Sequence, residues 1–178
     1  ISISYSADNS FYIPVGHKDT KCLKKTLVLK KLKTILEDAS IKKVGQNMKY
    51  DFIVFQNHGI ELNAIEDTML LSYTLDAGNN RHNMDTLSEI HLAHKTISYK
   101  DLVGTGKKQL NFSDIDIKSA TEYAAEDADV TLRLYNILSE RVSDEKLDKI
   151  YEVFEKPMIK ILSKLETNGI KVDDSYLK

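Results

Sequence analysis

Two aspartates occupy positions where a helix of a globular domain normally carries an apolar side chain, and their type suits chemistry with a hard cation. In the run Tyr123-Ala124-Ala125-Glu126-Asp127-Ala128-Asp129, the periodicity predicts a helix from about Ile117 to about Ser143, with Ala120, Tyr123, Val130, Leu134 and Leu138 on one stripe. Asp127 falls in the middle of that stripe, whereas Glu122, Glu126, Asp129 and Arg133 point the other way and read as a solvated face. A carboxylate turned toward a core needs an ion pair, a hydrogen-bond donor or a metal to offset its desolvation. A second segment, Lys43 to Phe55, has the same design. A short apolar approach ends at Gly45, a helix starts near Asn47, and Asp51 follows one turn later on the face of Val54 and Phe55. Two helices that each aim one Asp inward could bring both carboxylates to one divalent-cation site, since oxygen ligands suit magnesium or manganese.

The elements that must carry these groups can be traced along the chain. Ile1 to Ser6 and Phe11 to Val15 are β-branched and aromatic, with Ala7-Asp8-Asn9-Ser10 as the turn of a hairpin. Leu23 to Glu37 reads as a basic amphipathic helix, and Ile41 to Val44 as a short strand leading into the Asp51 helix. Glu61 to Ile65 is extended and leads to Asp67, an N-cap for the helix that follows. Asp85 sits at the start of a further helix over Met84 to Leu92. Ser143-Asp144-Glu145 starts another, and a helical period over Pro157 to Leu165 is stopped by Asn168-Gly169.

Other chemistries are excluded by spacing. Val103-Gly104-Thr105-Gly106-Lys107 lacks the earlier Gly and the Ser or Thr after Lys that a phosphate loop needs, and reads instead as a flexible connection near the substrate. His82, His91 and His94 offer no ligand spacing with a third partner, and Cys22 is the only cysteine, so neither a zinc cluster nor an internal disulfide is encoded. The 178 residues, 42% hydrophobic and 29% charged, are those of a globular domain with an appendage. With no apolar run of membrane-spanning length and no signal-peptide order in the first residues, a cytoplasmic address without membrane contact is expected. A net charge of −2 argues against a grip on long duplex DNA, but not against a site for the last few nucleotides of a single strand.

The order KVGQNMKYD, DTML, RHNMDTL, HKTISY and EYAAEDADVTL resembles the 3′–5′ proofreading exonuclease domain of bacterial DNA polymerase I, a family A polymerase, over nearly the whole chain. The resemblance implies an α/β, ribonuclease H-like exonuclease fold, a mixed sheet flanked by helices, over residues 1–142. Residues 143–178 would then be a helical linker entering the polymerase domain. It also implies that Asp127 and Asp51 hold two Mg2+ or Mn2+ ions, and that Tyr123 orients the attacking water. Gln46, Asn47, Tyr50, Arg81 and Tyr99 would hold the single-stranded 3′ end of DNA. The implied partner is a covalently linked polymerase domain, and the implied location is the bacterial nucleoid. The family's first motif, an Asp-x-Glu on the opening strand, has no counterpart in this chain. Two of four metal-binding carboxylates are thus absent from it, as in a piece trimmed at its front or a chain that lost the motif. Activity and metal binding of this chain are therefore expected to be weak. Two alternatives remain open: a non-catalytic platform between polymerase and DNA, and an RNA exonuclease of the ribonuclease D kind.

Overall fold

The computed structural model describes residues 1–18 and 20–176. The chain opens with an antiparallel hairpin of β1 (Ser2–Ser6) and β2 (Asn9–Tyr12). The turn is tighter than the sequence suggests. Asp8 adopts φ 63, a left-handed conformation that Asp tolerates better than most residues, so pairing resumes at once with Ser6 opposite Asn9. The expected strand over Phe11 to Val15 accordingly starts two residues earlier and ends at Tyr12.

After α1 (Lys25–Glu37), the chain builds a β-α-β unit: β3 (Lys43–Gly45), α2 (Met48–Gln56) and β4 (Ile65–Asp67). β3 and β4 are parallel, with Val44 opposite Glu66 and Gly45 opposite Asp67. The strands are thus mixed in sense, although among the described residues they form two separate ladders, the hairpin and the parallel pair. Helix α3 (Thr68–Asp76) leaves β4 without a connecting loop, because Asp67 caps it by accepting the Met69 N–H at 2.9 Å. Helices α4 (Met84–Leu92) and α5 (Tyr99–Val103) follow, then 3-10 turns at Gly106–Lys108 and Phe112–Asp114.

The long helix α6 (Ile117–Asp144) is the spine of the molecule and packs on the hairpin, on β3, and on α3 and α4. Asp116 caps it through the N–H groups of Lys118 and Ser119. Its apolar stripe is buried as the period requires: Val130, Leu134, Leu138 and Val142 meet Leu71, Leu87 and Tyr151. Ser143-Asp144-Glu145, expected to begin a helix, instead ends this one. Lys146 turns left-handed at φ 60 and the Leu147 N–H closes on the Val142 carbonyl at 2.9 Å. The chain then forms α7 (Asp148–Ile150), a π-helical turn (Tyr151–Glu155) and α8 (Lys156–Asn168), which stops where Gly169 takes φ 68. Helix α8 lies on α2, where its Ile159 joins Met48, Phe52, Ile60, Leu62 and Ile65 in a second core. A third, smaller core of Val103, Ile115 and Ala120 sits under the 104–114 loop. No helix among the described residues is long and apolar enough to cross a membrane.

Candidate active site

Asp127 is half-buried on α6, and its Oδ1 is buried without a hydrogen-bond partner among the described residues. Burial pushes its carboxyl up to about 7. The neighbouring Tyr123 hydroxyl partly opposes that rise, while the negative charges of Glu126 and Asp85 add to it. Tyr123, one turn earlier, is raised above its ordinary value, first by burial and then by the negative charge of Asp127, so its hydroxyl keeps its proton throughout the neutral range. A buried acidic oxygen beside a neutral phenol has the chemistry to take up a cation or a proton.

Asp51 is the second such group. It is half-buried on α2, and its carboxyl is pushed up to about 6 by burial, with a further rise from Asp67. The start of α2 is built by Asp67, which is 1% exposed. Its Oδ2 accepts the Met48 N–H at 2.8 Å, and its Oδ1 accepts the N–H groups of Asn47 at 3.1 Å and Met69 at 2.9 Å. Asp67 is therefore more than the cap expected for α3, since it also satisfies donors at the start of α2. Asn47 itself is left-handed at φ 59, which costs a non-glycine residue roughly 1 kcal/mol and is held here by the Asp67 bond.

The remaining candidates divide between exposed and engaged side chains. Tyr50 and Arg81 are exposed, and Arg81 makes no ion pair among the described residues. Gln46 is engaged at both ends, donating to the His82 carbonyl at 2.8 Å and accepting from the Thr68 hydroxyl. It thereby ties the turn carrying Arg81 to the start of α3. Tyr99 is 44% exposed, stacks on Phe112 at 6.4 Å between centroids, and meets Tyr123 at 5.8 Å. Tyr99 and Tyr123, two of the three aromatic candidates, are thus brought together. Asp51 and Asp127 have different charged neighbours: Asp67 acts on the first, and Glu126 and Asp85 on the second. Among the described residues no three His, Cys, Asp or Glu side chains converge as a preformed metal cluster.

Three contributions escape a reading of the sequence. Phe112 contacts Tyr99, Tyr123, Tyr12 and His17 and is the hub of the aromatic cluster. The single aromatic of the 104–114 loop was the available signal. Glu126 and Asp129, expected on a solvated face, anchor distant loops. Glu126 accepts from the Ile97 N–H at 2.7 Å and meets His94 Nε2 at 2.8 Å. Asp129 accepts the Asp8 N–H at 2.7 Å. Arg133 pairs with Asp8, and its Nε lies 2.6 Å from Asp129 Oδ2, off the hydrogen-bonding direction. Asp85 is fixed by the Thr96 hydroxyl at 2.7 Å and contributes its charge to the surroundings of Asp127 and Tyr123.

The α/β scaffold thus carries acidic groups on two helices, one of them beside an aromatic cluster, and the fold has solved counterparts. Brucella melitensis NrnC superposes with a TM-score of 0.63 at 21% identity, over 88% of this chain and 70% of that one, and shares the ribonuclease H-like exonuclease fold. The chain belongs to the 3′–5′ exonuclease family, whose model matches residues 1–143, and which is generally dependent on divalent metal. It is similar to DNA polymerase I of Rhizobium leguminosarum, at 49% identity over 84% of this chain and 15% of that protein. It is also similar to DNA polymerase I of Pseudomonas aeruginosa, at 40% identity over 99% of this chain and 20% of that protein. The chain therefore spans a fifth or less of the length of these relatives.

Proposed function

We propose that this chain is the proofreading module of a DNA polymerase I, hydrolysing the last phosphodiester at a single-stranded 3′ end of DNA, within residues 1–142, with 143–178 as the helical link to a polymerase domain. The observation that carries the reading is the orphaned Oδ1 of Asp127 beside Tyr123 in the aromatic cluster with Tyr99. Asp127 and Asp51 are the residues that would hold Mg2+ or Mn2+, and their hard oxygen donors fit such ions. When bound, the ions supply charge neutralisation and a more acidic water. Tyr123, neutral over the working range, can donate and accept at once, which suits orienting a water for in-line attack. Tyr99 presents an exposed ring on which a terminal base can stack. Tyr50 and Arg81 are free to contact sugar and phosphate, whereas Gln46 and Asn47 hold the wall from which they project. Asp127→Ala in the full-length parent should abolish removal of a mispaired 3′ nucleotide while sparing synthesis, and undiminished excision would refute the assignment.

A second reading is a non-catalytic platform, for which the relevant observation is that no three His, Cys, Asp or Glu side chains among the described residues group as a metal site. Cation affinity depends on ligand charge and number, so this chain alone should bind Mn2+ at least about tenfold more weakly than a site with four carboxylates. Calorimetric titration measures this, and a nuclease assay on the chain with magnesium or manganese separates a weakened enzyme from a platform. Parallel DNA and RNA substrates given to an intact parent test the ribonuclease D-like alternative.

A further inference from the structure

The hydrolysis described above uses neither Tyr151 nor Lys156, which lie beyond the family-matched residues 1–143, yet both direct their polar ends at the strand beside the site. Tyr151 is 3% exposed. Its hydroxyl donates to Glu66 Oε2 at 2.9 Å and accepts the Asp67 backbone N–H at 3.0 Å. Lys156 Nζ donates to the other oxygen of the same carboxylate, Glu66 Oε1, at 2.8 Å. Glu66 is itself buried, so its two oxygens are held by two residues of one short segment.

That segment is shaped for the task. Tyr151 and Lys156 are five residues apart, which in an α-helix would turn them about 140° away from each other. The π-helical turn over Tyr151–Glu155 widens the winding, so both meet one carboxylate. Such turns insert one residue into a helix and recur where function requires an offset. The contacts continue toward the site. Asp67 adjoins Glu66 on β4 and holds the N–H groups of Asn47 and Met48, and Asp51 lies one turn further on α2. Asn47, left-handed at φ 59, is where this run of contacts meets a strained backbone angle with an ordinary alternative.

We infer that Tyr151 and Lys156 are positioning residues of the exonuclease site, acting through Glu66 and Asp67 to set the backbone at Asn47 and, with it, the direction of Asp51. The inference rests on the reading of Asn47 and Asp51 as site residues. Its mechanical part, that the π-helical turn holds the start of α2, stands on the contacts alone.

Tyr151→Phe in the full-length parent removes the hydroxyl and keeps the ring in its core. Hydrogen exchange followed by mass spectrometry should then show peptides spanning 45–51 exchanging about tenfold faster, with peptides of α6 unchanged. In the same variant kcat for 3′-end removal should fall about tenfold, the size expected when one net hydrogen bond is lost. If Tyr151→Phe does not fold, Lys156→Met, which keeps most of the aliphatic stem, takes its place with the same expectation in milder form. Unchanged exchange at 45–51 in the folded variant overturns the proposal, as does acceleration spread evenly over α6, which marks a merely structural residue. Faster exchange at 45–51 with an undiminished kcat overturns the link to the site. Asp127→Ala is run alongside: if it still excises while exchange at 45–51 responds to Tyr151→Phe, the nuclease reading fails and the mechanical coupling survives.

Discussion

Folding moves Asp51 and Asp127 in the same direction, up to about 6 and about 7, chiefly by burial. For an acid raised in the folded state, the protonated form is the one the fold favours. Its contribution to stability is full below the unfolded value near 3.8 and is lost as pH rises through the folded value. Each tenfold change in proton affinity between the folded and unfolded chain is worth about 1.4 kcal/mol, so the two groups together should cost the metal-free chain up to roughly 7 kcal/mol between about pH 4 and pH 7.5. The urea midpoint should therefore fall over that range, Asp127→Asn should flatten the fall, and Mn2+ should reverse it by favouring the charged forms. A slope identical in wild type and Asp127→Asn would remove the case for a strained carboxylate at this position. The oddity of Asp127 was legible because helical period alone sets it on the stripe of Val130 and Leu134. The work done by Glu126 was not, because its partners His94 and Ile97 are about thirty residues away and no local pattern announces them.

At the scale of elements, periodicity served best where a helix is long and one-sided: α6 was expected over 117–143 and runs over Ile117–Asp144. It failed at junctions, where a single backbone angle decides. Asp8 at φ 63 moved the hairpin register, and Lys146 at φ 60 turned an expected helix start into a helix end. The second case is testable, since Lys146 is exposed and only its conformation is at stake. Lys146→Gly should stabilise the chain by roughly 1 kcal/mol, because glycine adopts this region without the Cβ conflict. Asp67 is the opposite case. Its carboxylate answers three backbone N–H groups at the starts of α2 and α3, and burial raises its pKa despite those bonds. Asp67→Ala would strand all three donors in a dry site and should cost about 2 to 4 kcal/mol in urea denaturation. The cap on α3 could be foreseen from Asp67-Thr68, but the bonds to Asn47 and Met48 could not, since they span about twenty residues.

For the molecule as a whole, the resemblance divides the chain after residue 142, and the cores include residues from both sides of that point. Tyr151 is buried with Leu71, Leu87 and the α6 stripe, and Ile159 of α8 is buried with Met48, Phe52 and Ile65. Lys156 reaches Glu66, ninety residues back in the chain. None of this is visible in composition, because α7, the π-helical turn and α8 have the amphipathic character of any connecting helix. Physical consequences follow for a chain ended at Glu145. Removing the later residues would uncover the apolar faces of α2 and β4, and burial of a single large side chain is worth about 1.5 to 3 kcal/mol. It would also leave the Glu66 carboxylate without the Lys156 ammonium and the Tyr151 hydroxyl, and a buried carboxylate deprived of its partner is strongly destabilising. Taken together these losses rival the roughly 5 to 15 kcal/mol that holds a domain of this size folded. A chain of residues 1–145 should therefore lose its cooperative urea transition or show a midpoint far below that of 1–178, with near-ultraviolet circular dichroism reporting loosened packing around Tyr123 and Tyr99. A sharp transition at the full-chain midpoint would mean that residues 1–142 are a self-sufficient unit and that the helices after them only rest on its surface.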